Sequence, residues 1–136
     1  LYRQGRGAAE GALIPKGPQG IRLLLSSFRE GQHLGVLMDQ KMNDGICVPF
    51  FGINSMTASA IADLVLRFDC PIVPVHIERL GGVKFRIIFE PPLRVLRVGN
   101  QKEDIYALMV QINDRIEEWV RANPEQWLWL HNRWSN

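Results

Sequence analysis

The sequence predicts an α/β fold in which a mixed, mainly parallel sheet is flanked by helices. Short apolar runs typical of buried strands alternate with segments whose apolar residues recur at helical spacing. A helical segment between two such runs also implies a right-handed parallel crossover. The 136 residues suit one domain, and an apolar fraction of 46% is enough for a core.

The first elements are expected to be a helix, a buried strand and a turn. Pro18 fits the first turn of a helix whose apolar residues recur every three or four positions up to Phe28, and Gly31 offers a stop. Residues 33–38 (HLGVLM) form a short apolar run bounded by polar residues, as in a buried strand. The triplet 43–45 (NDG) is a turn signal.

A second helix and a hairpin are expected next. Polar residues at 54–57 offer caps for a helix whose apolar stripe ends at Phe68. Residues 71–77 (PIVPVHI) and 83–89 (VKFRIIF) predict two strands, and Gly81-Gly82 predicts the turn of an antiparallel hairpin between them.

The last elements are a long helix and an aromatic tail. Residues 104–122 have the clearest helical stripe, and Asn123-Pro124 closes it. The tail after this point carries Trp127, Trp129 and Trp134. They could form a lipid-contacting surface, because Trp favours interfaces, or the tail could fold back over the core. The alternation of Leu and Trp favours the second reading.

Asp39 is the strongest single candidate for a functional residue. It directly follows the run 33–38, and ligands of parallel α/β sheets gather beyond the carboxyl ends of strands. A carboxylate there could orient a base, hold a substrate hydroxyl, or pair with Arg or Lys. A solvated strand end or a helix-capping acid is an equal alternative from the pattern alone.

Basic residues near the start of the chain are candidates for phosphate binding. Arg3, Arg6 and Lys16 stand among glycines that leave the backbone open to close approach. Arg offers phosphate a fork of donors, and Lys offers a point charge. A solvated loop is the favoured alternative.

Several classes of site lack support in the sequence. A net charge of +2 does not call for nucleic acid. No Cys pair or Cys/His cluster has the spacing of a metal site, so neither a metal nor another cofactor is expected. His33, His76 and His131 form no convincing site, and the Gly-x-Ser-x-Gly elbow of serine hydrolases is missing.

Four separated motifs resemble one family. They are GVLMDQ at 35–40, VPFFG at 48–52, PIVPVHIER at 71–79 and NPEQWLWLHNRW at 123–134. Together, and in this order, they resemble the late lipid A acyltransferases of Gram-negative bacteria, within the lysophospholipid acyltransferase superfamily. The resemblance covers nearly the whole chain, and the ending at 123–134 is its most specific part.

The resemblance implies an acyltransferase at the cytoplasmic face of the bacterial inner membrane. The family moves a fatty acyl chain from acyl carrier protein to a hydroxyl of a lipid A precursor. The implied partners are therefore the loaded carrier protein, the precursor and the membrane surface, without nucleic acid.

The family's signature is a His, four arbitrary residues and then Asp or Glu. That His acts as general base on the acceptor hydroxyl, and the carboxylate supports it. No His in this chain has an acid five positions later. The resemblance thus implies that residues 1–136 are the C-terminal part of one acyltransferase domain, without its N-terminal anchor and His block. Such a chain would have an incomplete sheet of lysophospholipid-acyltransferase type and would be inactive alone.

Matching positions give roles to individual residues. The resemblance makes Asp39 the supporting acid near the cleft. It also implies a set of substrate-binding residues, with the basic ones near acceptor phosphate, the Phe-Phe-Gly segment along the acyl path and a tail arginine of unassigned role: Arg3, Arg6, Lys16, Phe50, Phe51, Gly52 and Arg133.

Two other functions remain open from the residues. A small α/β hydrolase or phosphatase could use Asp39, but it needs a second acid or a nucleophile beside it, and only Asp44 is near in sequence. A non-catalytic lipid- or protein-binding module on the same scaffold is the other alternative. It predicts that the parent gene also lacks the His-x4-acid motif.

Overall fold

A computed structural model describes residue 14 and residues 18–97 and 99–134. The chain divides into two compact units between Val36 and Leu37. The first unit contains helix α1, Pro18–Arg29. It ends in a Schellman motif, in which Gly31 has φ +70° and Gln32 N donates to Ser27 O at 2.9 Å. The predicted helix and its stop at Gly31 are thereby confirmed.

The predicted strand at 33–38 is wrong, because these residues have no regular structure. A strand is stable only beside another strand that takes its backbone hydrogen bonds. No described strand pairs with this run. The apolar pattern is present in the sequence, but the neighbour that would turn it into a strand is not among the described residues.

The second unit begins with an antiparallel hairpin of β1, Lys41–Phe50, and β2, Ile53–Thr57. Phe50 pairs with Ile53, so the connecting turn has two residues. Phe51 has φ +53° and Gly52 has φ +74°. Positive φ at both central residues defines a type I′ turn, whose twist matches that of the flanking strands.

The predicted turn at 43–45 and the predicted helix caps at 54–57 are corrected by this hairpin. Residues 43–45 lie inside β1, where Lys41 and Ile46 both pair with Thr57 and the intervening residues bulge out. Gly45 lies against the partner strand, and a Cβ there would be 2.0 Å from the carbonyl oxygen of Thr57. Residues 54–57 belong to β2, because pairing with β1 outweighs their tendency to cap a helix.

A short helix and a second hairpin follow. Helix α2 is Ala60–Phe68, which confirms the predicted end at Phe68. Strands β3, Val75–Gly81, and β4, Lys84–Phe89, form the predicted antiparallel hairpin. Its turn is Gly82-Val83, one residue later than the predicted Gly81-Gly82, because Gly81 pairs with Lys84. Strand β3 begins after Pro74 and ends at Gly81, so it is shifted toward the C-terminus relative to the predicted strand at 71–77, because proline cannot donate to a ladder.

The long helix α3, Gln101–Ala122, matches the clearest prediction and begins three residues earlier than expected. The side chain of Asn100 caps it by accepting from the N–H groups of Lys102 and Glu103. A single 3-10 turn, Pro124–Gln126, starts the tail. The core lies where α3 packs against β1 and α2, and its buried apolar residues are Val48, Phe50, Ala62, Val65, Leu66, Leu108, Met109, Ile112, Ile116 and Val120.

The mixed α/β class is confirmed, but the mainly parallel sheet is wrong. The described strands form two separate two-stranded antiparallel sheets. Each strand pairs with its neighbour in sequence across a tight turn, so no described helix serves as a parallel crossover. The crossover prediction depended on 33–38 being the first parallel strand, and these residues are not a strand.

Candidate functional site

The candidate site is built around Arg133, a fully buried residue of the tail. Its Nη1 donates to Ser55 Oγ at 2.6 Å and to the carbonyl oxygen of Met56 at 2.8 Å. Its Nη2 donates to Thr57 Oγ1 at 2.7 Å, and Ser55 Oγ donates in turn to the carbonyl oxygen of Arg133 at 2.7 Å. One guanidinium thus fixes the tail along β2.

The charge of Arg133 is stabilised by more than these hydrogen bonds. The guanidinium carbon lies 5.0 Å from the centre of the Phe50 ring, in cation–π geometry. Burial lowers the pKa of Arg133, and the nearby carboxylate of Asp39 raises it in part. Arginine stays protonated in proteins, so Arg133 holds a permanent positive charge with Asp39 as a counter-charge. The region around Arg133, with Phe50, Ser55 and Thr57, is called the Arg133 corner below.

Asp39 lies at this corner, although not in the context that the sequence predicted. It is half-buried and precedes β1 by two residues, so it does not end a strand. Among the alternatives that the pattern left open, pairing with an arginine is supported by the electrostatic effect of Asp39 on the pKa of Arg133. Its role as a supporting acid stays a prediction.

His131 is a residue of this corner that sequence reasoning set aside. Its Nε2 accepts from the backbone N–H of Lys41 at 2.8 Å. Nε2 therefore carries no proton, and the neutral ring holds its proton on Nδ1. Because Lys41 pairs with Thr57 at the open end of the hairpin, His131 and Arg133 approach the same end of the two strands. The spacing of His131 and Arg133 in the tail is the only signal that could have indicated this.

The chemistry of this corner favours holding and orienting polar groups. Ser55 is buried, and its hydroxyl donates to a backbone carbonyl and accepts from Arg133. Such a hydroxyl is not paired with a base, so Ser55 does not fit the nucleophile that the hydrolase alternative needs. Among the described residues, no three His, Cys, Asp or Glu side chains could together hold a metal ion.

The Phe-Phe-Gly segment is an aromatic corner of the core and the turn that leaves it. Phe50 is fully buried and stacks on Trp134 at 5.6 Å, with Trp127 at 5.7 Å. Phe51 is half-buried, and Gly52 is exposed. Their predicted place along an acyl path stays a prediction for all three residues.

The same contacts decide the prediction about the tail. Trp127 and Trp134 pack against the core, which confirms that the tail folds back. Trp134 Nε1 also donates to the carbonyl oxygen of Phe50 at 3.0 Å. Trp129, in contrast, is more than half exposed.

Helix α3 fixes the turn at Phe51. The backbone N–H of Phe51 donates to Glu117 Oε1 at 2.5 Å. Glu117 Oε2 accepts from Arg121 at 3.2 Å, and the Arg121 guanidinium lies 4.6 Å from the centre of the Phe51 ring. In the sequence, Glu117 and Arg121 have the spacing of an ordinary surface pair on a helix, so no signal pointed to this role.

A polar network that the sequence did not reveal joins the second hairpin to α3. The His76 ring stacks on Trp119 at 4.7 Å, and Trp119 Nε1 donates to Glu90 Oε1 at 2.6 Å. Glu90 also pairs with Arg115 at 3.2 Å. These contacts orient one face of the β3–β4 hairpin toward the helix.

The remaining predicted site residues, Arg3, Arg6 and Lys16, lie outside the described residues. Their role in phosphate binding therefore stays a prediction. In the part of the chain that the structure describes, none of the helices has the length and apolar character needed to span a bilayer.

Comparison with known proteins adds the decisive observation. The sequence model of a family described as bacterial lipid A biosynthesis acyltransferase matches residues 1–136. The chain belongs to this family. No curated protein sequence matches it.

Three motifs that are distant in the sequence of this lipid A acyltransferase family member meet at one side chain. Arg133 of the tail motif lies over Phe50 of the VPFFG motif and interacts electrostatically with Asp39 of the GVLMDQ motif. One residue from each of three of the four motifs thus takes part in the interactions of Arg133.

Proposed function

We propose that this lipid A acyltransferase moves a fatty acyl chain from acyl carrier protein to a hydroxyl of a lipid A precursor. The observation that carries the proposal is the meeting of Asp39, Phe50 and Arg133, each from a different family motif, at one corner. The proposal is supported by the electrostatic interaction of Asp39 with an arginine that lies over the Phe50 ring, since the reaction needs both a polar site and an apolar site.

In the proposed reaction a histidine takes the proton of the acceptor hydroxyl. The hydroxyl oxygen then attacks the acyl carbonyl carbon, the bond to the carrier's sulfur breaks, and the thiol leaves with a proton. Asp39 supports the histidine through its negative charge. Arg3, Arg6 and Lys16 hold the phosphate of the acceptor, as their donors suit.

The histidine of this reaction is not one of the three in the chain. None precedes an acid at the spacing of the family's motif, and His131 Nε2 already accepts from Lys41. We therefore infer that the 136 residues do not catalyse the transfer by themselves.

Phe50, Phe51 and Gly52 are proposed to shape the acyl path. Phe50 does so from the core, where it sets the position of Phe51 at a ring distance of 4.9 Å. Each further methylene that is buried against such a wall contributes about 0.8 kcal/mol, so a wall of this kind can select chain length.

The proposed place of action is the cytoplasmic face of the inner membrane of a Gram-negative bacterium. There the chain would meet its proposed partners, the loaded acyl carrier protein and the lipid A precursor, at the membrane surface. This proposal is supported by the family and by the apolar chemistry of the acceptor.

An assay of two proteins tests the proposal. One protein is the isolated 136-residue chain. The other, called the version with the His motif, is a longer protein in which the family's His-x4-Asp/Glu motif precedes these residues. Each is incubated with acyl-loaded carrier protein and a lipid A precursor. We expect acylated precursor only with the longer protein. Equal transfer by the isolated chain would contradict the assignment of the base. Release of free fatty acid or phosphate without acylated product would favour the hydrolase alternative.

A further inference from the structure

The segment that carries Asp39 has little regular structure to hold it. Asp39 lies in a bend between the irregular run that precedes it and Lys41, the first residue of β1. The continuous pairing of β1 with β2 begins only at Ile46, because residues 42–45 bulge out. The position of Lys41 therefore depends in part on contacts other than this pairing.

His131 supplies such a contact from the tail. Its Nε2 accepts from the backbone N–H of Lys41 at 2.8 Å, although 90 positions separate the two residues. The bond is partly shielded from water, where an unpaired N–H group is costly. Lys41 is thus fixed at two points, by its pairing with Thr57 of β2 and by the imidazole of His131.

The imidazole is itself held on both sides. The backbone N–H of His131 donates to the carbonyl oxygen of Leu128 at 3.2 Å, which closes a turn of the tail. On the other side, Arg133 is fully buried and donates to Thr57 Oγ1 at 2.7 Å. The described tail after Gln126 contains neither helix nor strand, so contacts of this kind determine the position of the ring.

The imidazole can influence Asp39 through a short piece of backbone. Two residues of chain span at most about 7 Å, so a shift of Lys41 also moves Asp39. A displacement of about 1 Å at a reacting group is enough to lower a rate about a hundredfold. Asp39 also interacts electrostatically with Arg133. Two residues of the tail thus act on one acid, His131 through its backbone and Arg133 through its charge.

We propose that His131 is a positioning residue for Asp39, because its Nε2 fixes the main chain of Lys41 and with it the place of the carboxylate. The inference rests on the proposed function, in which Asp39 supports the base, and deepens it by giving a residue of the tail a role in the same site. The lone pair of His131 Nε2 is taken by Lys41, so the ring takes no proton from substrate at that atom. Its effect on the reaction passes through Asp39.

Acyl transfer by variants of the version with the His motif tests the inference. His131→Leu removes the acceptor and should lower kcat about tenfold, while the KM for the precursor stays the same, since His131 does not contact substrate. His131→Gln should remain within about threefold of the wild type, because Gln Oε1 can replace Nε2 as the acceptor. An equal loss in both variants would contradict the role of His131 as an acceptor.

A double-mutant cycle with Asp39 separates positioning from a general structural role. A residue that acts only through Asp39 has no effect once the carboxylate is gone. Adding His131→Leu to Asp39→Asn should therefore change kcat by less than about twofold. The same loss in the wild-type and the Asp39→Asn backgrounds would overturn the inference, because His131 would then act independently of the acid.

A matched control lies in the same tail. Gln126 Oε1 accepts from the backbone N–H of Arg79 at 2.7 Å, so it holds the main chain of the second hairpin as His131 holds that of the first. Gln126→Leu removes an acceptor of the same kind and should leave kcat at the wild-type value. A loss as large as that of His131→Leu would show that any loosening of the tail lowers the rate, which would contradict the inference.

Amide hydrogen exchange in the 136-residue chain tests the contact without catalysis. The N–H of Lys41 should exchange at least about tenfold faster in His131→Leu and at nearly the wild-type rate in His131→Gln. Unchanged exchange of Lys41 in His131→Leu would overturn the inference at its first step. If circular dichroism shows that His131→Leu unfolds, the shorter His131→Asn replaces it in every measurement, with the same outcomes counting for and against.

The inference and the proposed function fail in different ways. Transfer that depends on Asp39 but shows independent effects of His131 and Asp39 in the cycle would contradict the inference alone. Absence of transfer by the wild-type version with the His motif would contradict the proposed function, and the positioning role would fall with it, whatever the exchange rate of Lys41.

Discussion

Arg133 is a charged side chain that the fold removes entirely from solvent. Burying a charge is costly unless it is paired and hydrogen-bonded, and here β2 supplies three acceptors within 2.8 Å. The Phe50 ring and the Asp39 carboxylate add electrostatic stabilisation. The guanidinium therefore stabilises the second unit by joining the tail to β2.

Removing this guanidinium should destabilise the second unit. Arg133→Gln cannot reach three acceptors with a single amide, so buried oxygens of Ser55 and Thr57 lose their donors. We expect the free energy of unfolding in urea to fall by about 3 kcal/mol. The control Arg94→Gln, at an exposed arginine, should change it by no more than about 0.5 kcal/mol. Equal stability of the two variants would contradict the structural role of Arg133.

Asp39 should matter for activity more than for folding. In the version with the His motif, Asp39→Asn keeps the shape of the side chain and removes its charge. The rate of acyl transfer should fall about a hundredfold, in the range of lost acid–base assistance. Asp44→Asn, at an exposed acid nearby in sequence, should keep the wild-type rate. A wild-type rate for both variants would remove Asp39 from the site.

At the scale of single residues the sequence indicated Asp39 and Arg133 through family motifs, but not what they contact. Residues 54–57 have the composition of a helix cap, so the sequence offered no reason to expect Ser55 and Thr57 as acceptors for Arg133. Glu117 and His131 were missed because their partners are backbone N–H groups of residues distant in sequence.

At the scale of elements, the β1–β2 hairpin shows how close backbone contact determines a residue type. Gly45 lies in the bulge of β1, where a Cβ would be 2.0 Å from the carbonyl oxygen of Thr57. Gly35 has open space around the position of its Cβ. The two glycines thus form a natural pair for measuring the effect of an added methyl group.

Gly45→Ala should destabilise the hairpin, and Gly35→Ala should not. The first variant must displace the backbone of β2, and we expect a loss of about 2 kcal/mol in the free energy of unfolding, in the range of overpacked sites. The second should remain within about 0.5 kcal/mol of the wild type. Thermal or urea unfolding measures both. A neutral Gly45→Ala variant would show that β1 and β2 lie farther apart there.

Three acidic residues, Asp114, Glu117 and Glu118, lie close together on helix α3. Burial, and then the charges of Glu117 and Glu118, raise the pKa of Asp114 above its usual value. The folded state therefore binds a proton at Asp114 more tightly than the unfolded state does. The contribution of Asp114 to stability falls as pH rises from the usual pKa of Asp to the raised pKa of the folded state. The ionised Asp114 is mildly destabilising at neutral pH.

Asp114→Asn should accordingly stabilise the protein at neutral pH. The gain should be at most a few tenths of a kcal/mol, because solvent screens an exposed side chain. It should disappear in acid, below the usual pKa of Asp, where the wild-type carboxyl is protonated in both states. Urea unfolding across pH measures the difference. A gain that persists in acid would contradict the electrostatic cause.

Elements with strong local signals could be predicted, and those that depend on a partner could not. Helix α3 and the β3–β4 hairpin have periodicity and turn glycines that act within a few residues. The run 33–38 has the composition of a strand but lacks a described neighbour. Residues 43–45 have the composition of a turn, but they bulge inside β1 because Ile46 pairs with Thr57.

At the scale of the whole molecule, the class of the fold could be predicted and its sheet topology could not. Alternating helices and apolar runs indicated α/β correctly. The parallel sheet was predicted from a crossover that begins at 33–38, whereas the described strands pair only with their sequence neighbours. The family motifs indicated the candidate site better than hydrophobic periodicity did. Arg133 interacts with Asp39, which lies more than 90 positions away in the chain, and periodicity carries no information about such distant pairs.

The mass of the lipid A precursor after reaction tests the central claim most directly. The version with the His motif is incubated with acyl-loaded carrier protein and the precursor, and the lipid is analysed by mass spectrometry. The account predicts that the precursor gains one acyl group in ester linkage, in wild-type protein and much less in Asp39→Asn. An unchanged precursor mass, with the carrier still loaded or its acyl group released as free acid, would contradict it.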